Sequence, residues 1–296
     1  MKLQILVPQY KEDESIIKPL LDSIEVQQNI DLQNDIGVII VNDGTDTHLS
    51  QDFLNRYSFP IEYHLNEHKG VSVTRNACLD YATADYVMFC DADDMFYNAC
   101  GMYIIFREIE NGGFDSLVSA FIEESREYGT KIPMYINHDM DTTFVHGKVH
   151  RRQFLIDNNI QFAEHIMFED NDYAIVAFAY AQRVKHMALC AYHYRNNPNS
   201  ITRVKYTSEH IGYWLDLAHR LRVIEEKFIN ENKDLRYRAL LINFTRYTIS
   251  NVLSMYASIG DDNRREARRM IRKKIDLRLK PYMSRKTYLK IKLGLL

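Results

Sequence analysis

Short apolar runs, each ending in polar or acidic residues, recur through the first part of the chain. Leu3-Gln4-Ile5-Leu6-Val7 runs into Pro8-Gln9-Tyr10, Val38 to Val41 into Asn42-Asp43-Gly44, and Tyr86 to Cys90 into Asp91-Ala92-Asp93-Asp94. Such runs predict strands buried on both faces, with Pro8 expected to stop the first. Ser15 to Gln28 has apolar residues at 16, 17, 20, 21 and 24, the spacing of an amphipathic helix, with Ser15 as its expected N-cap. Ile61 to Leu65 alternates as a strand, and Gly70 to Ala82 reads as a helix. This β-α-β-α-β rhythm predicts an α/β chain with a mostly parallel, doubly wound sheet. Its strands bring polar groups to one edge, where open sheets of this kind hold ligands.

Further on, Tyr103 to Glu110 reads as helix and Ser116 to Ile122 as strand. Residues 123 to 142 are polar and loop-rich, a place for acceptor-binding segments. A short helix is expected from Arg151-Arg152 to Asn158. Glu169-Asp170-Asn171-Asp172 opens a second helical stretch, and Ala191 to Arg195 is strand-like. Tyr206 to Asn230 and Leu235 to Ile259 have helical spacing. The boundary is expected near 203, with residues 1–203 as an α/β domain and 204–296 as a helical region.

Composition changes this picture in two ways. The four cysteines form no C-x-x-C pair, which argues for a reducing compartment and against a zinc site. The first apolar run is too short for a signal peptide, and no run approaches the ~20 residues of a membrane span. The expectation is a cytoplasmic protein. The net charge of −3 also hides an asymmetry: Asn263 to Leu296 carries +11 and the remainder −14. The basic tail reads as a solvated helix face, or as a contact for an anionic membrane at its inner face or for a polyanion, through 264–296.

The three acids after Tyr86–Cys90 read either as an acidic surface turn or as a hard oxygen site for Mg²⁺ or Mn²⁺ holding a phosphate. No G-x-G-x-x-G follows the first strand and no P-loop occurs. A nucleotide would therefore need carboxylates, a metal and basic side chains. Lys69 and Arg75 are the candidate bases, each also readable as a solvated helix residue. Arg75 could fork onto a phosphate or onto Asp91. The acids at 169 to 172 read as helix N-terminal residues favoured by the dipole, or as a catalytic carboxylate facing the pocket.

Residues 1 to about 203 resemble a family 2 glycosyltransferase of the GT-A fold. Val7-Pro8-Gln9-Tyr10-Lys11-Glu12, Val41-Asn42-Asp43-Gly44-Thr45, Gly70-Val71-Ser72-Val73-Thr74-Arg75-Asn76, Asp91-Ala92-Asp93-Asp94, Glu169-Asp170 and Tyr192-His193-Tyr194-Arg195 with Asn199-Ser200-Ile201-Thr202 follow its motifs in order. Lys11 and Asn42 depart from the usual Asn and Asp. The resemblance implies that Pro8, Tyr10 and Glu12 line the nucleotide pocket, that Asp43 binds the base, most often uracil, and that Arg75 supports the nucleotide and the aspartates. It implies Asp91 and Ala92 at the ribose and Asp93 as ligand of Mn²⁺ or Mg²⁺, with Asp91 beside it. His193 and Arg195 would reach the metal or diphosphate. Asp170 would be the general base, with Glu169 beside it raising its proton affinity. The implied activity is inverting transfer from a nucleotide sugar, most readily a UDP-sugar, to a hydroxyl of a glycan, polyanionic polymer or lipid-linked acceptor. The rival readings are a related transferase of sugar phosphates or nucleotides, a non-catalytic sugar-nucleotide-binding protein of the same fold, and a nucleic-acid acceptor.

Overall fold

The structure is a computed structural model describing residues 1–125, 129–135, 144–164, 166, 169–197, 207–232 and 235–295, with the backbone alone at 235–237 and 261–262. The motif element Asn199 to Thr202 lies outside the described residues. The chain forms two compact units, one of residues 1–165 and 169–198, the other of 166–168 and 199–296.

In the first unit, strands β1 (Leu3–Gln9), β2 (Ile36–Asp43), β3 (Ile61–Asn66) and β4 (Tyr86–Phe89) pair in parallel in the order β3-β2-β1-β4. Helices α1 (Glu14–Glu25), α2 (Gln51–Leu54) and α3 (Val71–Tyr81) connect them. Beyond β4 the sheet is mixed, which the apolar runs did not predict. β5 (Met95–Phe96), β6 (Ser116–Glu124), β7 (Lys131–Met134), β8 (Lys148–Arg151) and β9 (Val184–Tyr194) extend it, with helices α4 (Gly101–Asn111), α5 (Arg152–Asp157) and α6 (Glu169–Tyr180) between them. β8 is antiparallel to both β4 and β6, and β9 runs parallel to β6 and antiparallel to β5. Ile5, Val38, Ile40, Met88 and Phe96 pack on one side of the sheet with α1 and α4, while Leu6, Ile39, Val87, Phe89 and Tyr173 pack on the other with α3 and α6.

Two local expectations are corrected. Pro8 does not end β1, which pairs Pro8 with Val41 and Gln9 with Asn42. The Leu6 carbonyl accepts from Cys90 N on the β4 side, so the missing N–H of Pro8 points to that side too, where β4 has already ended. The N-cap of α1 is Asp13 rather than Ser15: its carboxylate accepts from Ser15 N at 2.9 Å and Ile16 N at 3.2 Å.

His150 on β8 is buried beside Ser116, its Nδ1 2.8 Å from Ser116 Oγ. Burial and the Lys148 charge push its pKa down to about 3. It is neutral when folded and takes up a proton near ~6.5 when unfolded. The stability this contributes is complete above that pH and is lost as pH falls toward 3. His146, also held low by burial, acts with the same sign. Thermal melts from pH 7.5 down to pH 4.5 are expected to show a falling midpoint, and a His150→Asn protein a shallower fall; an equal slope would remove His150 from this account.

Among its described residues the second unit contains helices α7 (Ser208–Asn230), α8 (Leu235–Ser258), α9 (Asp261–Lys274) and α10 (Arg285–Leu293). Trp214, Leu215, Leu221, Phe244 and Val252 are buried in it, and Lys274 of α9 reaches Asp216 of α7 at 2.6 Å. Among the described residues no helix is long and apolar enough to cross a membrane.

Candidate active site

The carboxyl ends of β1, β2 and β4 and the first turns of α3 and α6 meet at one edge of the first unit. At the end of β2, Asp43 is buried and holds the start of α3. It accepts from Lys69 N at 2.9 Å and Gly70 N at 3.1 Å, and His68 Nδ1 lies 2.9 Å from it. Because a carboxylate only accepts, Nδ1 carries the proton. Gly44 is required here: its φ is +66°, and a Cβ would stand 2.2 Å from His68 N. The Lys69 side chain is exposed and lies 3.2 Å from Glu67. Tyr10 stacks on His68 with ring centroids 5.0 Å apart.

Asn42 explains its own departure from the usual Asp. Its Nδ2 donates to Thr47 O at 2.8 Å and reaches Gln9 Oε1 and Tyr63 Oη, while its Oδ1 accepts from Thr45 N at 2.8 Å. An aspartate could not donate to that buried network. Lys11 adopts φ +68°, a left-handed conformation in which Asn is the commoner residue. Its Nζ sits 4.9 Å from the centre of the Tyr10 ring.

Arg75 is the centre of the site. It is 6% exposed, and its two terminal nitrogens divide between distant acids: Nη2 donates to Asp91 at 2.9 Å and Nη1 to Glu169 at 2.6 Å. The side chain thus ties the end of β4 to the first turn of α6. Burial works against its charge, but Asp91, Glu169 and Asp170 together raise its pKa. Asn76 fastens the same turn of α3 to Phe162, donating to its O at 2.9 Å and accepting from its N at 2.8 Å.

Burial raises the pKa of both Glu169 and Asp170 despite the opposing pull of Arg75. Asp170 Oδ1 accepts from Asn171 N at 2.8 Å and Asn171 Nδ2 at 2.9 Å. Burial also raises Asp93 and Glu12, with the charge of Asp91 adding to both and that of Asp93 adding to Glu12. Asp93 Oδ2 accepts from Asn197 Nδ2 at 2.6 Å, and Arg195 Nη1 donates to the Asp93 carbonyl at 3.1 Å. Asp94 faces inward: it accepts from Tyr192 Oη at 2.6 Å and Arg195 N at 2.8 Å. Asp91 N donates to the same tyrosine oxygen at 3.2 Å. Tyr192 therefore shapes the acidic turn from below.

His193 is not brought to these acids. It alternates with Tyr192 along β9, and its Nε2 lies 2.9 Å from Glu124. Among the described residues no three of His, Cys, Asp and Glu stand together as a metal-binding group. Asp91 and Asp93 nonetheless fit a divalent ion of the kind held by one or two carboxylates and completed by substrate phosphates. Three participants escaped the sequence reading. Asn197, His68 and Tyr192 were visible as motif members or neighbours, but only the structure shows what each touches.

The profile of the family described as "Glycosyl transferase family 2" matches residues 4–185. The chain belongs to this family. A curated relative, the "Uncharacterized glycosyltransferase EpsJ" of Bacillus subtilis (strain 168), is 29% identical over 226 residues, which cover 69% of this chain and 64% of the relative. The chain thus spans less than two thirds of that relative's length. Among solved structures, S. aureus TarS 1–349 in complex with UDP-GlcNAc has a TM-score of 0.76 at 18% identity, covering 100% of this chain and 87% of the other. The mannosyltransferase PcManGT from Pyrobaculum calidifontis, in complex with GDP-Man and Mn²⁺, has a TM-score of 0.52 at 16% identity, covering 99% and 84%. These likenesses show the GT-A fold for this family 2 member.

Proposed function

We propose that the chain is a metal-dependent, inverting glycosyltransferase that takes its sugar from a nucleotide donor, most readily a UDP-sugar. The observation that carries this is the Arg75 bridge, which gathers Asp91 and Glu169 into one cluster with Asp170 beside it. Domain 1–203 would carry out the transfer and 204–296 would serve it as a helical appendage. The nucleotide lies along the ends of β1 and β2, against Pro8, the Tyr10–His68 stack, Glu12 and Asp43. Asp91 and Ala92 face the ribose, and Arg195 reaches the diphosphate. Lys69, paired with Glu67, and His193, paired with Glu124, stand apart from this arrangement. Asp93, with Asp91, would hold Mn²⁺ or Mg²⁺, which when bound supplies positive charge to the leaving diphosphate. Asp170 accepts the proton of an acceptor hydroxyl as its oxygen attacks the anomeric carbon from the face opposite the nucleotide, so configuration inverts. The acceptor hydroxyl belongs to a glycan, a polyanionic polymer or a lipid-linked saccharide.

Supporting evidence also comes from the solved relatives, one holding UDP-GlcNAc and another GDP-Man with Mn²⁺. The test is hydrolysis of a panel of UDP-, GDP- and TDP-sugars with Mn²⁺, with and without EDTA. One donor class should turn over, and EDTA should abolish it; no turnover of any donor would favour a binding protein. Asp93→Ala is expected to weaken Mn²⁺-dependent UDP binding about a hundredfold by calorimetry, or about 2.7 kcal/mol. Because burial raises Asp170, the acid limb of kcat/KM should lie above the ~3.9 of a free aspartate, with activity rising as pH climbs through it.

A further inference from the structure

None of this chemistry uses α9 or α10. α9 buries Ala267 and Ile271 and turns Arg265, Arg268, Arg269 and Arg272 to the opposite, exposed side. α10 buries Ile291 and exposes Lys286, Leu289, Lys290 and Leu293, whose spacing places them in one stripe. The two helices are fastened at their ends: Arg272 Nη2 donates to Lys292 O at 3.2 Å, and Lys292 Nζ donates to Arg272 O at 3.0 Å. Leu293 is 68% exposed, as are Leu295 at 69% and Leu277 at 72%. These leucines, set among lysines and arginines, leave apolar area open to a partner.

We propose that this face docks on an anionic lipid bilayer, with the helices lying in the interface rather than crossing it. Charge selects the partner: the segment from Asn263 onward carries +11 and the rest of the chain −14. An anionic surface therefore attracts this face and repels the others. A second copy meeting it through the same face would bring the same positive charge. The leucines select a bilayer over a polyanion in water. Only the bilayer offers an apolar phase a few ångströms below its charged layer. Neither helix is long and apolar enough to span.

The full chain is mixed with vesicles of phosphatidylcholine alone or with one third phosphatidylglycerol, and with a DNA duplex and polyphosphate in parallel. Binding to the anionic vesicles is expected, falling with salt and absent on the neutral ones. The pair Leu289→Asp and Leu293→Asp, both at exposed positions, should weaken it about tenfold at constant far-UV circular dichroism. Reversing Arg265, Arg269, Lys286 and Lys290 to Glu should weaken it about a hundredfold or more. No binding to anionic vesicles at low salt would overturn the proposal. So would a leucine variant that binds them like the parent while duplex or polyphosphate binds more tightly, which would make the face a polyanion site. No arm reads transfer, so the result stands apart from the transferase reading.

Discussion

Asp170→Asn is expected to lower transfer by about 10²–10⁴-fold while leaving UDP affinity unchanged. The substitution is isosteric, and the remaining oxygen still accepts from Asn171 N and Nδ2. What is lost is the basic oxygen. Arg75 keeps both of its acids, so the site should keep its shape. A drop in kcat without a rise in Kd for UDP identifies a group acting on the acceptor proton. Loss of UDP binding would instead place Asp170 in the donor site, and normal turnover would remove it from the chemistry.

The largest stability effect is expected at Arg75. Arg75→Met leaves Asp91 and Glu169 without their shared cation, and breaking a buried ion pair from one side costs about 3–5 kcal/mol. The loss depends on pH. Without the guanidinium, the already raised Glu169 and Asp170 bind protons still more tightly in the folded state. The penalty should therefore be full at pH 8, where both must ionise, and shrink as pH falls toward the ~4 at which they titrate in the unfolded chain. Arg75→Lys should recover only part, because an ammonium cannot fork to two acids on different elements. Urea melts at pH 8 and pH 5 measure this; equal losses at both would mean that the two carboxylates do not sense Arg75.

The parallel half of the sheet was legible because β1, β2 and β4 are short runs buried on both faces and punctuated by polar residues. β8 was not: Lys148-Val149-His150-Arg151 reads as polar, yet Lys148 and His150 are buried, with Lys148 Nζ against the Phe144 carbonyl and ring. Polar side chains inside a sheet carry no hydrophobic signal. The length of β9 was missed for the related reason that its first half is partly exposed. At the site, the motif spacing placed the right residue types at one edge, but contacts were beyond it. Arg75 had three readings, a solvated helix residue, a fork on a phosphate or a fork on Asp91, and none included Glu169, 94 positions away. His193 and Tyr192 are neighbours in sequence and opposites in space, because a strand sends alternate side chains to opposite faces. Asp43 and Asp94 show how acids read as ligand contacts also serve as anchors for backbone N–H groups.

If the acids around Arg75 form one donor site, metal and nucleotide must bind together among them. Anomalous diffraction at the manganese edge from crystals grown with Mn²⁺ and UDP decides this. The expected result is a single strong peak beside the Asp93 carboxylate, bridging to the diphosphate, with the uracil between Tyr10 and Asp43. UDP bound elsewhere on the chain, or a manganese peak remote from Asp91 and Asp93, would contradict it.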